Sequence, residues 1–509
     1  MKNKIIGALT LLLAISASAQ SSKISDVATF KMRNASAIMD KNNNVDGYYF
    51  FYVGDKLKKG NREFTIQIMD QNLVEVARKN HVDNKNTFLM ESSFNNQAMM
   101  FALANYKEKE ITLLTFDKQA NQTGMQKIPL ESKEIRYIQA AEMTNSFTAL
   151  YAVENKGFIF NKVDDNKKIG YTLKYYPTDG GAGWQFASPE TAKDIKMITP
   201  IEVNSQVVVA REDSRPGALS RNITTTIKII DVNTGKLMFE RSYSKSKQPR
   251  MVTNAFLTPE NTLVLMGEYY KQGDNIYDDK SLGLFSEVID LTGKTVKESV
   301  ASWETDIAKL LKVKEGSKVK DKGYIYFHDV IRTQTGEYYA IGEYYRKTVS
   351  AGGVAMALLV NSNSPVTQLT ITNSVVFKFD KDFQLKSVHE FEKGKSRVPS
   401  MSDYGSPQLN AAAMAQLGYF DYSYTQIDPA NDRFYSCFID VEREKGEGSK
   451  PAFKTIIYDE GQLSEDKIPL KSIGKNFRVF PAKMGNVMLL EYDKKAKTLD
   501  LHLEKINIK

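Results

Sequence analysis

The sequence predicts an all-β fold: a β-propeller of eight four-stranded blades, with seven as the alternative count. Three observations carry that reading. First, an apolar alternating strand repeatedly runs into an aspartate, turns through a few polar residues and returns as a second strand. The phrase reads TIQIMD to Asp70, TLLTFD to Asp117, TIKIID to Asp231, FSEVID to Asp290, VVFKFD to Asp380 and TIIYD to Asp459. Second, the tetrapeptide Gly-Glu-Tyr-Tyr occurs at Gly267–Tyr270 and again at Gly342–Tyr345, each time placed at the end of a second strand. Third, the segments between strands are rich in Asp, Asn, Gly and Pro, the turn chemistry of antiparallel hairpins. A four-stranded unit repeated at this period is the plan of a propeller.

Taken in chain order, residues 1–19 read as a secretion signal. Lys2 and Lys4 are basic, Ile5 to Ile15 is an apolar run too short to span a bilayer, and Ala17-Ser18-Ala19 is a cleavage site before Gln20. The mature chain, 20–509, then reads as one propeller domain. Tyr48–Lys79 holds strands B, C and D of a first module, and Thr87–Leu130 is a compact second. Ile135–Phe186 is a third, with Pro-Thr-Asp-Gly-Gly at Asp179 replacing the Asp phrase. Ile195–Ser244, Met251–Ser302, Gly323–Phe391 and Gly418–Leu470 follow. Lys475–Lys505 supplies only three strands. The segment Ser25–Met32 (SDVATFKM) is assigned as the fourth, because closing the ring removes open strand edges. The repeated aspartates are unevenly spaced, so a pair of stacked β-domains stays open as an alternative.

Two short helices are expected. Ser406-Pro407 opens one to Leu417 with Gly418 as its stop, and Ser302–Leu311 sets Trp303, Ile307 and Leu310 on one face. An insertion at about 347–373, carrying the apolar run AGGVAMALLV, separates strands B and C of its module. It reads as an extra hairpin on its own blade or as a cap or docking segment.

The formal charge is +8, and +6 once the two lysines of the signal are removed. That balance excludes a nucleic-acid signature. Cys437 is the single cysteine, so no internal disulfide forms and burial must supply stability. It lies in an apolar strand and reads as buried filler rather than a reactive thiol.

Candidate chemistry concentrates at the strand B ends. Glu268 and Glu343 hold matched positions, and paired carboxylates are what a glycosidase needs for its acid and its nucleophile or base. Tyr269 and Tyr344 beside them suit sugar stacking. The structural reading is a repeated polar residue packing on the next blade, and it is preferred, because catalysis needs unlike environments for the two acids. The B–C connections are basic, with Lys56, Lys58, Lys59 and Arg62 in the first and Lys107 and Lys109 in the second. Arg211, Arg215 and Arg221 lie in the fourth, Lys271 in the fifth, and Arg346 and Lys347 in the sixth. Gathered on one face they make a positive rim for an acidic partner; otherwise they are ordinary solvated loops. Of these, Lys58, Arg62, Arg215, Lys271 and Arg346 are taken as the candidate binding cations.

The loop holding Asp274, Asn275, Asp278 and Asp279 is oxygen-rich but lacks the spacing of an EF-hand and reads as solvent-facing. His328 ends the aromatic strand YIYFH and reads as structural, with a pH-sensitive or catalytic role as the sharper alternative. The four histidines are scattered, so no metal site is expected, and no cofactor motif is present.

The signal segment, the Asp-turn modules, the paired Gly-Glu-Tyr-Tyr words and the strand YIYFHD together resemble an exported domain-of-unknown-function family of Gram-negative bacteria. The resemblance covers nearly the whole mature chain and carries over no catalytic residue. The modules are also similar to WD40 and kelch propellers, without the GH…WD phrase. The expected function is a periplasmic or secreted binding or scaffolding propeller at the cell envelope. Its expected partner is a protein or an envelope glycan, acidic if the basic rim is real, with no nucleic acid and no transmembrane segment in the mature chain. The alternative is a polysaccharide-active, glycosidase-like enzyme with acids near the central channel.

Overall fold

The computed structural model describes residues 20–31, 34–40, 44–54, 60–143, 149–165, 169–190, 192–217, 220, 223–243, 246–350, 365–403, 406–444, 448–469 and 477–506. Among them, eight antiparallel sheets of four or five strands form the blades of a β-propeller. Strands A to D run outward from the centre of each. Blade one is Ala35–Met39, Val45–Val53, Asn61–Asp70 and Glu75–Asn84. Blade two is Phe88–Phe94, Ala98–Asn105, Glu110–Asp117 and Gln122–Pro129. Blade three is Leu150–Val153, Gly157–Asp165, Ile169–Pro177 and Gln185–Ala187. Blade four is Ile195–Val203, Val207–Arg215, Thr224–Asp231 and Leu237–Ser242. Blade five is Arg250–Leu257, Thr262–Tyr269, Gly283–Asp290 and Thr295–Ser302. Blade six is Tyr324–Arg332, Tyr338–Val349, Thr367–Phe379 and Leu385–Phe391, with Ser396–Pro399 added along strand C. Blade seven is Tyr422–Asp428, Arg433–Glu444, Gly448–Asp459 and Gln462–Pro469.

Blade eight is Phe477–Pro481, Asn486–Asp493 and Thr498–Lys505, completed by Ser21–Ile24 from the other end of the chain. The closing strand therefore precedes the expected segment at Ser25. Ile24 and Val27 bury in the junction of blades eight and one, and Thr29 bridges to Val53 of blade one.

Each blade junction has its own apolar core. Strand B shows why its sequence is nearly continuously apolar rather than alternating: both of its faces are covered. In blade one Phe50 packs toward blade eight and Phe51 toward blade two. In blade six Ala340 faces blade five and Ile341 faces blade seven. Strand D has one open side, and there polar and charged residues predominate, as in Glu75–Asn84, where none is fully buried.

The recurrent aspartate is a turn device. Asp70, Asp117, Asp290 and Asp380 each accept the backbone N–H groups two and four residues on, through one carboxylate oxygen at 2.8–2.9 Å. The residue three positions on is left-handed in all four: Leu73, Ala120, Gly293 and Phe383. Only one of these is glycine. The other three bury 96–98 % of their surface, so apolar contact offsets a conformation that costs about 1 kcal/mol. Strand A of blades two, four, five, six and seven carries a second device, a one-residue bulge at Met90, Ile201, Thr253, His328 and Ser423. Bulges bend the strand and re-aim its side chains toward the centre.

Helical content departs from expectation in two places. The segment from Ile135 is not a strand of blade three but part of helix α1 (Ser132–Met143), whose Ile135 and Ile138 pack at the junction of blades two and three. Helix formers (Glu, Gln, Ala) fill it, and Leu150–Val153 supplies strand A instead. The helix expected over Ser302–Leu311 is only a single 3₁₀ turn at Ile307–Lys309; Trp303 and Ile307 bury, but Leu310 stays exposed. Helix α2 (Pro407–Gln416) forms as expected, with the Ser406 hydroxyl accepting from Leu409 N at 3.0 Å. A small hairpin, Val313–Glu315 with Lys318–Val319, precedes blade six.

Residues 1–19, expected to be a secretion signal, and the apolar run of the insertion lie outside the described residues. The insertion's flanks lengthen strands B and C of blade six, pairing as far as Val349 with Thr367. The second Gly-Glu-Tyr-Tyr word consequently lies inside strand B rather than at its end. No helix among the described residues is long and apolar enough to cross a membrane.

Candidate functional site

The register of strands A and B makes one strand B position equivalent in all five blades with a strand A bulge, and in blades four, five and six a charged residue follows it. Ala210, Gly267 and Gly342 each pair with the strand A residue just before the bulge, namely Pro200, Val252 and Phe327. The next residues on strand B are Arg211, Glu268 and Glu343. Each shares a face with the residue two before it, which packs into the following blade junction: Val209, Met266 and Ile341. Sequence comparison paired the two glutamates; only the register adds Arg211.

Arg211 and Glu268 open into one cavity of about 400 Å³ between the inner strands of blades four, five and six. Its walls carry Tyr270, Tyr277, Tyr326 and Tyr345, and its roof is α2, through Gln408, Leu409, Ala412 and Ala413. Arg211 Nε donates to Asp213 Oδ2 at 3.2 Å, and one terminal nitrogen contacts Met251 Sδ at 3.8 Å. Asp213 also accepts from Tyr277 at 2.7 Å and Thr225 at 2.9 Å, which fixes the guanidinium's anchor. Glu268 accepts from Ser281 at 2.7 Å and Tyr270 at 3.1 Å, and Trp303 Nε1 donates to the Ser281 hydroxyl at 3.0 Å. Burial raises the Glu268 carboxyl above its ordinary value, with the Ser281 and Tyr270 hydroxyls pulling the other way. Gln408 Nε2, at the roof, is buried with no hydrogen-bond partner among the described residues.

The loop of Asp274, Asn275, Asp278 and Asp279 bonds to itself. Asp279 accepts from Asn275 N at 2.8 Å, Asp278 from Asn275 Nδ2 at 3.0 Å, and Asn275 Oδ1 from Tyr277 N at 3.0 Å. Its role is to present Tyr277 to the cavity, and Ser406 of the α2 cap donates to Tyr277 O at 2.8 Å.

Glu343 does not join Glu268. It has no exposed surface and lies at the next junction, 2.9 Å from Lys393 Nζ and 3.0 Å from His328 Nε2, accepting from Tyr422 N at 2.9 Å. Lys393 also pairs with Asp421. Burial pushes the Glu343 carboxyl up, but the Lys393 charge and the His328 contact bring it below its ordinary value. Asp421 goes the other way, to about 6, through burial and the neighbouring Glu343 charge, against the pull of Lys393. His328 stacks on Tyr422 at 4.7 Å and packs on Tyr326 and Phe420.

The remaining sequence candidates separate. Tyr269 and Tyr344 point away from the cavity into the cores of the four–five and five–six junctions; their neighbours Tyr270 and Tyr345 line it instead. Strand alternation decides this, because adjacent residues face opposite sides. Of the basic rim, Lys56, Lys58, Lys59 and Arg221 lie outside the described residues. Arg62, Arg211, Arg215, Arg346 and Lys347 are in strands rather than loops, while Lys271 is in an exposed loop. Arg62 donates to Thr87 O at 3.1 Å, tying blade one to the start of blade two. Arg346 lines a second, basic cleft with Lys347. Cys437 is buried, and burial pushes its thiol up to about 12, which keeps it unreactive. Sequence reasoning missed Tyr277, Gln408 and Lys393; none carries a local signal, because each acts through a partner far along the chain.

Comparison with known proteins shows the family and adds no activity. The Family of unknown function (DUF6770) matches residues 1–507, and the chain belongs to that family. No curated protein matches the sequence. Similar solved structures include the WD40 domain of SCAP from fission yeast, 8 % identical over 95 % of this chain and 94 % of that one, TM-score 0.36. Prolyl oligopeptidase B from Galerina marginata is 9 % identical over 91 % of this chain, TM-score 0.41, and the match spans only 56 % of that protein. The β-propeller domain of the Trilobed protease from Pyrococcus furiosus is 13 % identical over 74 % of this chain and 98 % of that one, TM-score 0.34.

Proposed function

We propose that this chain is an exported binding propeller of the cell envelope whose ligand site is the tyrosine-walled cavity under α2, and that the ligand is a glycan end. The observation that carries the reading is the cavity itself. It is a concave, aromatic space of about 400 Å³ in which a few polar groups converge, the usual form of a small-ligand site. Tyrosine faces suit the C–H faces of a sugar ring. Arg211 and the Gln408 amide offer donors and Glu268 an acceptor for its hydroxyls. Binding is favoured over hydrolysis because Glu343, the second acid a glycosidase would need, is held at another junction against Lys393.

Calorimetric titration with envelope oligosaccharides tests the reading. Arg211→Gln and Glu268→Gln are each expected to weaken binding about tenfold, the loss of one good charge-assisted hydrogen bond. Unchanged affinity in the double variant overturns the cavity as the site. Export is tested separately: the mature protein recovered from envelope fractions should begin at Gln20, and a full-length cytoplasmic product would refute it.

A further inference from the structure

Beside the cavity lies a second space of about 670 Å³ whose charged lining residues are nearly all basic. Lys314, Lys318 and Lys320 come from the small hairpin before blade six, and Arg346 and Lys347 from strand B of that blade. The three hairpin lysines are exposed and stand within ion-pair distance of no acid among the described residues. Glu315 on the same hairpin is already engaged by Lys280 at 2.9 Å, and Asp321 is the one acid in the lining among the described residues. Arg346 spends one terminal nitrogen on Asp321 O at 3.4 Å, and its Nε is buried with no partner among the described residues. Lys347 is held at the back by the carbonyls of Ser402 and Asp403, both at 2.8 Å, with the Asp403 carboxylate turned to Thr367. So large an excess of one sign in a concave space favours an anionic occupant.

Tyr324 lines both this cleft and the cavity under α2, so the two spaces adjoin across one aromatic ring. We infer that together they form one extended site for an acidic polysaccharide: a terminal sugar sits among the tyrosines near Arg211, and the anionic groups of the following sugars lie over Lys314, Lys318, Lys320 and Arg346. The saccharide assignment rests on the cavity reading above, and the aromatic ring between the subsites is what favours it over an acidic peptide. The anion can be a carboxylate or a sulfate, because lysine ammonium groups meet either as point charges.

The test uses the mature chain with oligogalacturonate as the carboxylate probe and heparin-derived oligosaccharide as the sulfate probe. Binding is followed by calorimetry at low and high salt. One or both probes should bind, weakening as salt rises. Combined Lys314→Glu, Lys318→Glu and Lys320→Glu should cost at least about tenfold, and Arg211→Gln should weaken binding independently. Lys→Gln changes at the same three sites repeat the test if the reversed variant loses its native circular dichroism. Loss with Arg211→Gln but none with the lysine variants overturns the extended site and leaves the cavity reading standing. Loss with the lysine variants alone overturns the cavity reading, and with it the joint site. Equal affinity for polyglutamate or for oligothymidylate overturns the saccharide class.

Discussion

Lys393 serves two carboxylates, Glu343 fully buried and Asp421 largely so, with one charge, and that imbalance sets the chemistry of the junction between blades six and seven. Glu343 takes the larger share, with His328 and Tyr422 N adding to it, and stays ionised, while Asp421 is left with its carboxyl raised to about 6. Removing the shared cation strands both acids. Lys393→Met is therefore expected to cost about 3–5 kcal/mol in urea unfolding, the range for breaking a buried pair from one side. An acid raised in the folded state holds its proton there more often than in the unfolded chain. Stability from Asp421 is thus fullest below its ordinary value of 3.8 and declines as pH rises toward about 6. Unfolding midpoints across that window should fall more steeply in the natural protein than in Asp421→Asn; parallel profiles would refute the assignment. The sequence marked Glu343 through its repeated word. It could not mark Lys393 or Asp421, because no local pattern links them to it.

At the scale of the element, two devices repeat and each has a residue-level cause. The Asp turn was visible because its carboxylate must sit at one place to collect two backbone N–H groups, whatever the neighbours. The strand A bulge left no pattern in the sequence, since the residue paired before it is Ala210 in blade four; in blades five and six the glycine of Gly-Glu-Tyr-Tyr sits where strand A comes too close for a Cβ. A Cβ on Gly267 would stand 1.9 Å from Met251 O. Gly267→Ala is expected to lower stability by about 2 kcal/mol or more through that backbone clash. Gly180→Ala, with φ +76° but nothing within 4 Å, should cost about 1 kcal/mol from conformation alone. Equal losses in thermal unfolding would remove the close-approach explanation. Helix α1 shows the opposite failure. Ile135 and Ile138, three apart amid Glu, Gln and Ala, carried a helical period that the expectation of a strand in every module obscured.

For the whole molecule, closure rests on four residues at the start of the described chain. Ser21–Ile24 supplies strand D of blade eight and pairs with His502 to Leu499, joining the two ends of the polypeptide. Deleting 20–24 leaves the Thr498–Lys505 edge open and empties the Ile24 site in the junction core. The shortened chain should melt at lower temperature and aggregate on size-exclusion chromatography, whereas an unchanged monomer with unchanged melting would show that closure lies elsewhere. Strand period and turn chemistry act locally along the chain, so the sequence by itself determined the four-stranded module and favoured a propeller of eight, while the choice against seven blades or stacked β-domains came with the sheets themselves. Which acid keeps its charge, which tyrosine of each pair lines the cavity, and which cations share a cleft depend on residues that meet only when blades pack. Those were decided by the tertiary structure, because burial and pairing act through space and leave no period in the chain.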